Sequence, residues 1–304
     1  MNLLVVATLK PTMQADKQRK CRPAGCCLKF SGRFVRALPY FRGKWRLLNF
    51  VFHRYFRHRR IFDEFVLRNG MSIHCNLWDE VQFDIWAHDA NYERPDSHYL
   101  LRHLQAGMVF FDVGANVGYY TLMAAPMVNR DGAVHAFEPM PDTFSALCAN
   151  IQRNGLDWVK ANRLIVSDSP GVKMIHAGPE DNAGQASVEI VYRPEEKAQP
   201  VEAITLDDYV KQQQVKRLDL IKIDVEGHEL AVLHGMAGTL AALKPTLMVE
   251  VRESNLQQSG HRREEIYDFL GQQGYKPFRV KPDVSLEPVL TPVDGRLIIF
   301  RPSQ

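Results

Sequence analysis

No stretch of this 304-residue sequence approaches the roughly 20 consecutive apolar residues that a bilayer-spanning helix needs. The opening MNLLVVATLK is apolar only from Leu3 to Leu9. Its charge, Lys10, follows the run, so the order of a secretory signal is missing. Cysteine is scarce: Cys21, Cys26, Cys27, Cys75 and Cys148 form no C-x-x-C pair and no Cys/His spacing suited to zinc. An odd count in a chain long enough to bury its own core reads as reduced thiols and a cytoplasmic location. Cys26 and Cys27 stand beside basic residues and are candidate acylation sites, with plain free thiols as the favoured reading. Internal repeats and low-complexity tracts are also absent. Acidic residues are nearly missing from one region: residues 1–60 carry 15 Lys or Arg and a single acid, Asp16, a net of +14. The remaining residues carry 23 basic and 34 acidic side chains, a net of −11, so the overall charge of +3 conceals a basic arm ahead of an acidic body.

That arm interleaves aromatics with arginine in RFVRALPYFRGKWRLLNFVFHRYFRHRR. A helix from about Gly43 to His58 would set Trp45, Leu48, Phe52 and Tyr55 or Phe56 on one side. Three uses compete: packing on the body, lying on an anionic membrane surface, and binding nucleic acid. Packing leads, a peripheral contact at the inner membrane surface follows, and nucleic acid comes last. Glu64–Leu67 and Ser72–Asn76 flank an Asn69-Gly70 turn and predict a hairpin. Helices are expected over Asp79–His88 and Ser97–Gln105. From Met108 strands alternate with helices. Strands are predicted at Met108–Asp112, Ala133–Phe137, Arg163–Val166, Leu218–Ile223 and Thr246–Val251, with a terminal pair at Tyr275–Val280 and Arg296–Arg301. Helices are predicted at Tyr119–Val128, Pro141–Asn154, Glu229–Leu243 and His261–Gln273. Such alternation implies an α/β domain with a parallel sheet covered on both faces. The organisation expected is a basic arm (1–62), a hairpin and helix cap (63–106) and a ligand-binding domain (107–304). An inserted hairpin within 168–205 would pair Val172–His176 with Ser187–Tyr192 near the mouth of the site.

The strongest chemical signal is Asp112-Val-Gly114-Ala115-Asn116-Val-Gly118-Tyr-Tyr-Thr121, which ends a strand and opens a helix. Open α/β sheets bind ligands at that end of the strands, and glycine lets the backbone approach a ligand closely. Gly114 is expected to face the ligand. The spacing Gly-x-Asn-x-Gly departs from the dinucleotide pattern Gly-x-Gly-x-x-Gly. Asp112 suits a cationic sulfonium donor, S-adenosylmethionine, better than a pyrophosphate, and Glu138 is placed to accept from ribose hydroxyls. Ser167-Asp168 follows the third strand, where Asp168 can meet an adenine amino group or serve an ordinary turn. A second cluster, Lys222-Ile-Asp224-Val-Glu226-Gly-His228-Glu229, ends the fourth strand, and Glu250 ends the fifth. Asp224, Glu226, His228 and Glu250 are thereby candidates for the base that takes a hydroxyl proton during methyl transfer, with Glu226 first. Lys222 reads as an ion-pair partner and Glu229 as an acid serving the first helical turn. Asp224, Glu226 and Glu250 offer hard oxygen ligands, but no diagnostic spacing marks a metal and none is expected.

DVGANVGYYTL, AFEPMPDTFSALCANIQRNG, Ser167-Asp168, TLDDYV, IKIDVEGHEL, LHGM and KPTLMVEV occur in that order, and together they resemble the FkbM family of methyltransferases. The resemblance covers about Glu93 to Tyr275. It implies a class I methyltransferase, Rossmann-like fold: a seven-stranded sheet, mostly parallel with an antiparallel terminal strand. It also implies S-adenosylmethionine as donor and O-methylation of an acceptor such as a sugar, glycan or secondary metabolite. On motif position Asp112, Gly114, Ala115, Asn116, Gly118, Thr121, Glu138, Ser167 and Asp168 fall to the donor, with Glu93 as a further family feature. Asp181-Asn182-Ala-Gly184 through Ser187 also resembles the family. An NAD-dependent oxidoreductase and a non-catalytic binding protein are the alternatives. The first lacks a second substrate constellation, and the second would be expected to lose strand-end acids that are present here.

Overall fold

The computed structural model describes residues 44–56, 60–88 and 92–303. Cys21, Cys26, Cys27 and the arm up to Gly43 lie outside the described residues. The described chain opens with α1 (Lys44–Val51), which runs into a turn of π-helix over Phe52–Phe56. Leu48, Phe52 and Phe56 recur every four residues and are buried. Phe52 meets Phe83 at 5.0 Å between ring centroids, and Phe56 meets Trp86 at 5.9 Å. The packed reading of this helix therefore accounts for one face, while Leu47 and Phe50 remain exposed on another.

β1 (Phe62–Val66) and β2 (Ser72–Asn76) form the expected hairpin, beginning two residues earlier than predicted. The hairpin is held by side chains that stand in for a third strand. Asn154, at the end of the helix over Pro141–Arg153, accepts from the Ser72 amide and donates to its carbonyl, both at 2.7 Å, and Asn150 accepts from the His74 amide at 2.9 Å. α2 (Glu80–His88) and α3 (Arg94–His103) complete the cap.

The body follows as β3 (Val109–Val113), α4 (Tyr119–Val128), β4 (Ala133–Phe137), α5 (Pro141–Arg153) and β5 (Val159–Asn162). Next come β6 (Ile165–Val166), β7 (Gly171–Ile175), β8 (Gln199–Ile204), α6 (Leu206–Gln212) and β9 (Leu220–Ile223). The chain ends with α7 (Glu229–His234), α8 (Ala237–Leu243), β10 (Thr246–Val251), α9 (Glu253–Gln258) and α10 (Arg263–Gln272). β11 (Tyr275–Val280), β12 (Leu286–Pro288) and β13 (Gly295–Pro302) close it. β3, β4, β9 and β10 are short, nearly continuous apolar runs buried on both faces, as central parallel strands must be. The large sheet has the order β12-β11-β13-β10-β9-β3-β4-β5. Pairing is parallel from β5 to β10, and β13 runs antiparallel to both β10 and β11. This order is that of a class I methyltransferase sheet, with the chain switching direction across the sheet between β3 and β9. Crevices open at such switch points.

The structure corrects four expectations. The sheet has eight strands, because Leu286–Pro288 adds a short antiparallel edge to β11. The third strand is Val159–Asn162 rather than Arg163–Val166; its polar Lys160 and Asn162 suit an edge, and the more apolar Ile165–Val166 pairs with β8 in a separate three-stranded sheet. Gly171–Ile175 pairs with Gln199–Ala203, and Ser187–Tyr192 contributes only the His176–Ser187 bridge. The helix expected over Glu229–Leu243 breaks into α7 and α8 at Gly235. A Cβ there would sit 1.9 Å from the Ser167 carbonyl, so only glycine lets this junction pack against the end of β6.

Candidate active site

The carboxyl ends of β3, β4, β9 and β10 open into one cleft, walled also by α2, the Tyr92–Glu93 turn and the 183–188 segment. α2 is fastened to that segment by the buried Asp79 carboxylate, which accepts from the Ala183 amide at 2.8 Å, and by the Glu80 amide donating to Asp181 at 2.7 Å. The cap and the inserted segment thus close one side of the cleft together.

The β3 side is built mainly from backbone. The Gly114 and Ala115 amides both donate to the Phe137 carbonyl at 3.0 Å, tying the turn to the end of β4. Glu138 accepts from the Asn116 amide at 3.0 Å on one oxygen and from the Met140 amide at 2.9 Å on the other. Each carboxylate oxygen has a second lone pair left for a ligand. Burial pushes Glu138 up to about 7 despite those two amides. Gly114 lines the cleft and has a second constraint. Its φ of +81° requires glycine, and a Cβ would meet the Asp224 carbonyl at 1.8 Å, so the residue must also be bare for β3 and β9 to close. Asn116 (φ 50°), Glu93 (φ 44°) and Glu226 (φ 52°) are non-glycine residues in the left-handed region, and all three line the cleft. Strain of that kind concentrates where a surrounding structure holds side chains in place for use.

The β9–β10 side is built from charge. Lys222 is buried and reaches Asp224 at 2.8 Å, with its ammonium 5.0 Å from the Tyr120 ring centroid. Burial works against its charge, but Asp224 and Asp112 outweigh that and hold it protonated. Arg252 meets Glu250 at 2.7 Å and Glu226 at 3.8 Å. Glu226 also accepts from the Asn255 amide group. Burial, then the Asp224 charge, pushes Glu226 up to about 8 and raises Glu250 well above the usual carboxylate range. Glu93 accepts from the Tyr120 hydroxyl at 2.7 Å beside this cluster.

His228 is buried with both ring nitrogens engaged: Nε2 with Ser167 Oγ at 2.9 Å, and Nδ1 with Glu189 Oε1 at 2.8 Å. A serine, histidine and acid in this order have the spacing of a nucleophile relay. Ser167 is 0% exposed and no part of the cleft wall, so no substrate reaches it. The array instead locks the inserted segment to the Asp224–His228 loop. With both nitrogens bound, His228 is poorly placed to serve as a base, which separates it from the carboxylates grouped with it in the sequence.

Of the donor candidates, Glu93, Gly114, Ala115, Asn116 and Glu138 line the cleft, as do Asp224, Glu226, His228 and Glu250. Asp112, Gly118, Thr121, Ser167 and Asp168 do not. Asp112 is fully buried behind the turn and accepts from Thr121 Oγ1 at 2.6 Å, fixing α4 to β3. A Cβ on Gly118 would collide with Leu147, so its bareness serves helix packing. Asp168 points outward, pairing with Lys173 at 3.4 Å and accepting from Ser169. Lys222 is the ion-pair partner expected, and Glu229 reaches back to the Val225 and Gly227 amides at the start of α7. Arg252 was not anticipated. Its signal is the strand period of two, which puts it on the same face as Glu250 just as Lys222 shares a face with Asp224.

The profile of the methyltransferase FkbM domain matches residues 112–277, from the end of β3 into β11. The chain belongs to the FkbM methyltransferase family. Within curated relatives, it is 32% identical over 161 residues to hexuronic acid methyltransferase AglP of Haloferax volcanii, covering 53% of this chain and 63% of that protein. It is 30% identical over 166 residues to 31-O-demethyl-FK506 methyltransferase FkbM of Streptomyces tacrolimicus, covering 45% of this chain and 63% of that one. The chain thus spans about three-fifths of the length of these two family relatives. Among solved structures, the methyltransferase FkbM of Methylobacillus flagellatus KT is similar at a TM-score of 0.41 and 14% identity, covering 73% of this chain and 55% of that one. The O-methyltransferase of Bacillus cereus is similar at 0.43 and 15%, covering 73% and 89%.

Proposed function

We propose that this protein transfers a methyl group from S-adenosylmethionine to a hydroxyl oxygen of a sugar, glycan or secondary metabolite. The observation that carries this reading is the charge of a single cleft at the switch point: Glu93, Glu138, Asp224, Glu226 and Glu250 face it against Lys222 and Arg252. Such a wall favours the positive sulfonium of the donor, which S-adenosylhomocysteine lacks, and repels the pyrophosphate of a dinucleotide. Phe137, Leu164, Ile165 and Val166 add an apolar wall at the end of β4 and β6, suited to a planar adenine. Glu138 is the residue for the ribose hydroxyls, and the 114–116 turn frames the donor beside it. The relatives named for a hexuronic acid and for 31-O-demethyl-FK506 support an oxygen-bearing, carbohydrate-like or polyketide acceptor.

Bound S-adenosylmethionine supplies an activated methyl carbon. The chain's own work is to align an acceptor hydroxyl and take its proton as the new C–O bond forms. Glu226 is the base of first choice, because it lines the cleft, is anchored by Asn255 on one oxygen, and is held in a strained backbone. Calorimetry with S-adenosylhomocysteine and with NAD tests the donor: binding of the first and not the second is expected, and the reverse overturns the reading. Mass spectrometry of glycans and metabolites from cells with and without the gene then identifies the acceptor as the species that loses one methyl group.

A further inference from the structure

Three carboxylates meet at the β9–β10 end of the cleft, and each is engaged on one oxygen only by the cations and amide around it. Lys222 holds Asp224 Oδ2, Asn255 holds Glu226 Oε2, and Arg252 holds Glu250 Oε1. One oxygen from each of Asp224, Glu226 and Glu250 lies within 4.8 Å of the others. Two ligand oxygens at the usual ~2.0–2.6 Å from one cation stand at most about 4–5 Å apart, so the spacing is that of a shared ion. A second observation concerns Glu250 alone. It is 5% exposed, and its other oxygen, Oε2, is buried with no donor from the surrounding side chains or backbone; the Glu250 carboxyl stands close enough to Asp224 to share a proton, a contact that an ion between them would replace. A carboxylate oxygen withdrawn from water without a donor is costly to leave unfilled. The charges agree. Glu93 stands near enough to act on both Lys222 and Arg252, so when ionised four acids face two bases, a deficit of two positive charges.

We propose that Asp224, Glu226 and Glu250 bind a divalent cation with a preference for hard oxygen ligands, of the magnesium, manganese or calcium class. This departs from the sequence expectation of no metal, which rested on spacing along the chain. Asp224 and Glu250 lie on adjacent strands, so their proximity comes from the pairing of β9 with β10 and leaves no mark in linear spacing. The inference rests on the methyl-transfer reading for its use: a cation here would receive the acceptor's hydroxyl and make it acidic enough to give its proton to a carboxylate outside the ligand set, such as Glu93 beside the cluster, with Glu226 then serving as ligand and not as base. Binding itself does not depend on that reading.

The test is titration of the metal-stripped full chain with Mn²⁺, followed by electron paramagnetic resonance, alongside calorimetry with S-adenosylhomocysteine on the same preparations. One Mn²⁺ per chain is expected, with affinity at least about tenfold weaker in Glu250→Gln and in Asp224→Asn. Thermal unfolding confirms that both near-isosteric variants fold, and both should keep S-adenosylhomocysteine affinity. No Mn²⁺ binding up to about 1 mM, at the weak end of the range for such sites, overturns the proposal. So does binding that both variants retain. Loss of S-adenosylhomocysteine affinity together with Mn²⁺ affinity also overturns it, because the cluster would then hold the donor's ammonium. A chain that binds Mn²⁺ through these residues but never S-adenosylhomocysteine sustains the cation site and defeats the methyl-transfer reading instead.

Discussion

The two sides of the cleft are made of different materials. Beside β3 and β4, backbone amides do the work: Gly114, Ala115, Asn116 and Met140 are joined through the Phe137 carbonyl and the Glu138 carboxylate, all within one β-α-β unit. Beside β9 and β10, charged side chains from separate segments hold one another: Lys222 with Asp224, Arg252 with Glu250 and Glu226, and Asn255 with Glu226. A backbone cradle is stiff and insensitive to which side chains surround it. A charge network responds to the removal of any member, because the partner left behind is buried and unpaired. A fixed donor and a variable acceptor would be served by that division.

The largest effect expected is on the seam between the two sides. Gly114→Val should prevent stable folding, since the new side chain meets the Asp224 carbonyl at 1.8 Å in a backbone of φ +81°. Gly70 is the control: it has a similar φ of +86° with nothing within 4 Å, so Gly70→Ala should cost only the left-handed strain of about 1–2 kcal/mol. Equal urea midpoints for Gly114→Ala and Gly70→Ala would show that the seam is looser than described.

Next in size is the acceptor side. Glu226→Gln should lower turnover by about 10²–10⁴-fold and leave S-adenosylhomocysteine affinity nearly intact, as single-turnover assays and calorimetry would show. A variant that loses donor affinity instead would assign Glu226 to the donor and erase the contrast between the two sides.

The donor side should show a smaller, pH-linked effect. Glu138→Gln should weaken S-adenosylhomocysteine by about 1–3 kcal/mol through loss of charged hydrogen bonds. The native carboxyl, pushed up to about 7 by burial, is largely protonated below that pH and ionised above it. Donor affinity should therefore rise as pH increases through about 7 and flatten above, and the rise should vanish in Glu138→Gln. For folding the sign is opposite: the native state keeps this proton longer than the unfolded chain, so stability contributed here falls between the ordinary carboxylate range and about 7.

The smallest effect lies farthest from the cleft. Phe50 is 62% exposed while its neighbour Phe52 is buried. Phe50→Ser should change stability by no more than about 0.5 kcal/mol, read from urea unfolding, as for other surface positions. If the aromatic face meets a membrane, the same variant should sediment less with anionic vesicles at low salt.

Much of this molecule is determined by its sequence alone, and the reason is local. A parallel strand buried on both faces must be a short apolar run, and a helix that leaves it must begin with a turn, so VFFDVGAN, AVHAFE and LIKID announce both the sheet and the edge that carries the site. Period two along a strand likewise assigns Lys222 with Asp224, and Glu250 with Arg252, to common faces. Other features depend on contacts between segments far apart in the chain, and only the tertiary structure decided them. Ile165–Val166 left the main sheet because β8 offered a partner, and the helix after β9 broke at Gly235, where the Ser167 carbonyl leaves no room for a side chain. Asp112 and Thr121, named for the donor in sequence, turned to each other, while His228 was taken up by Ser167 and Glu189. The same folding brought Asp224, Glu226 and Glu250 within one ion's reach, since strands β9 and β10 are neighbours in the sheet but separated in sequence by two helices.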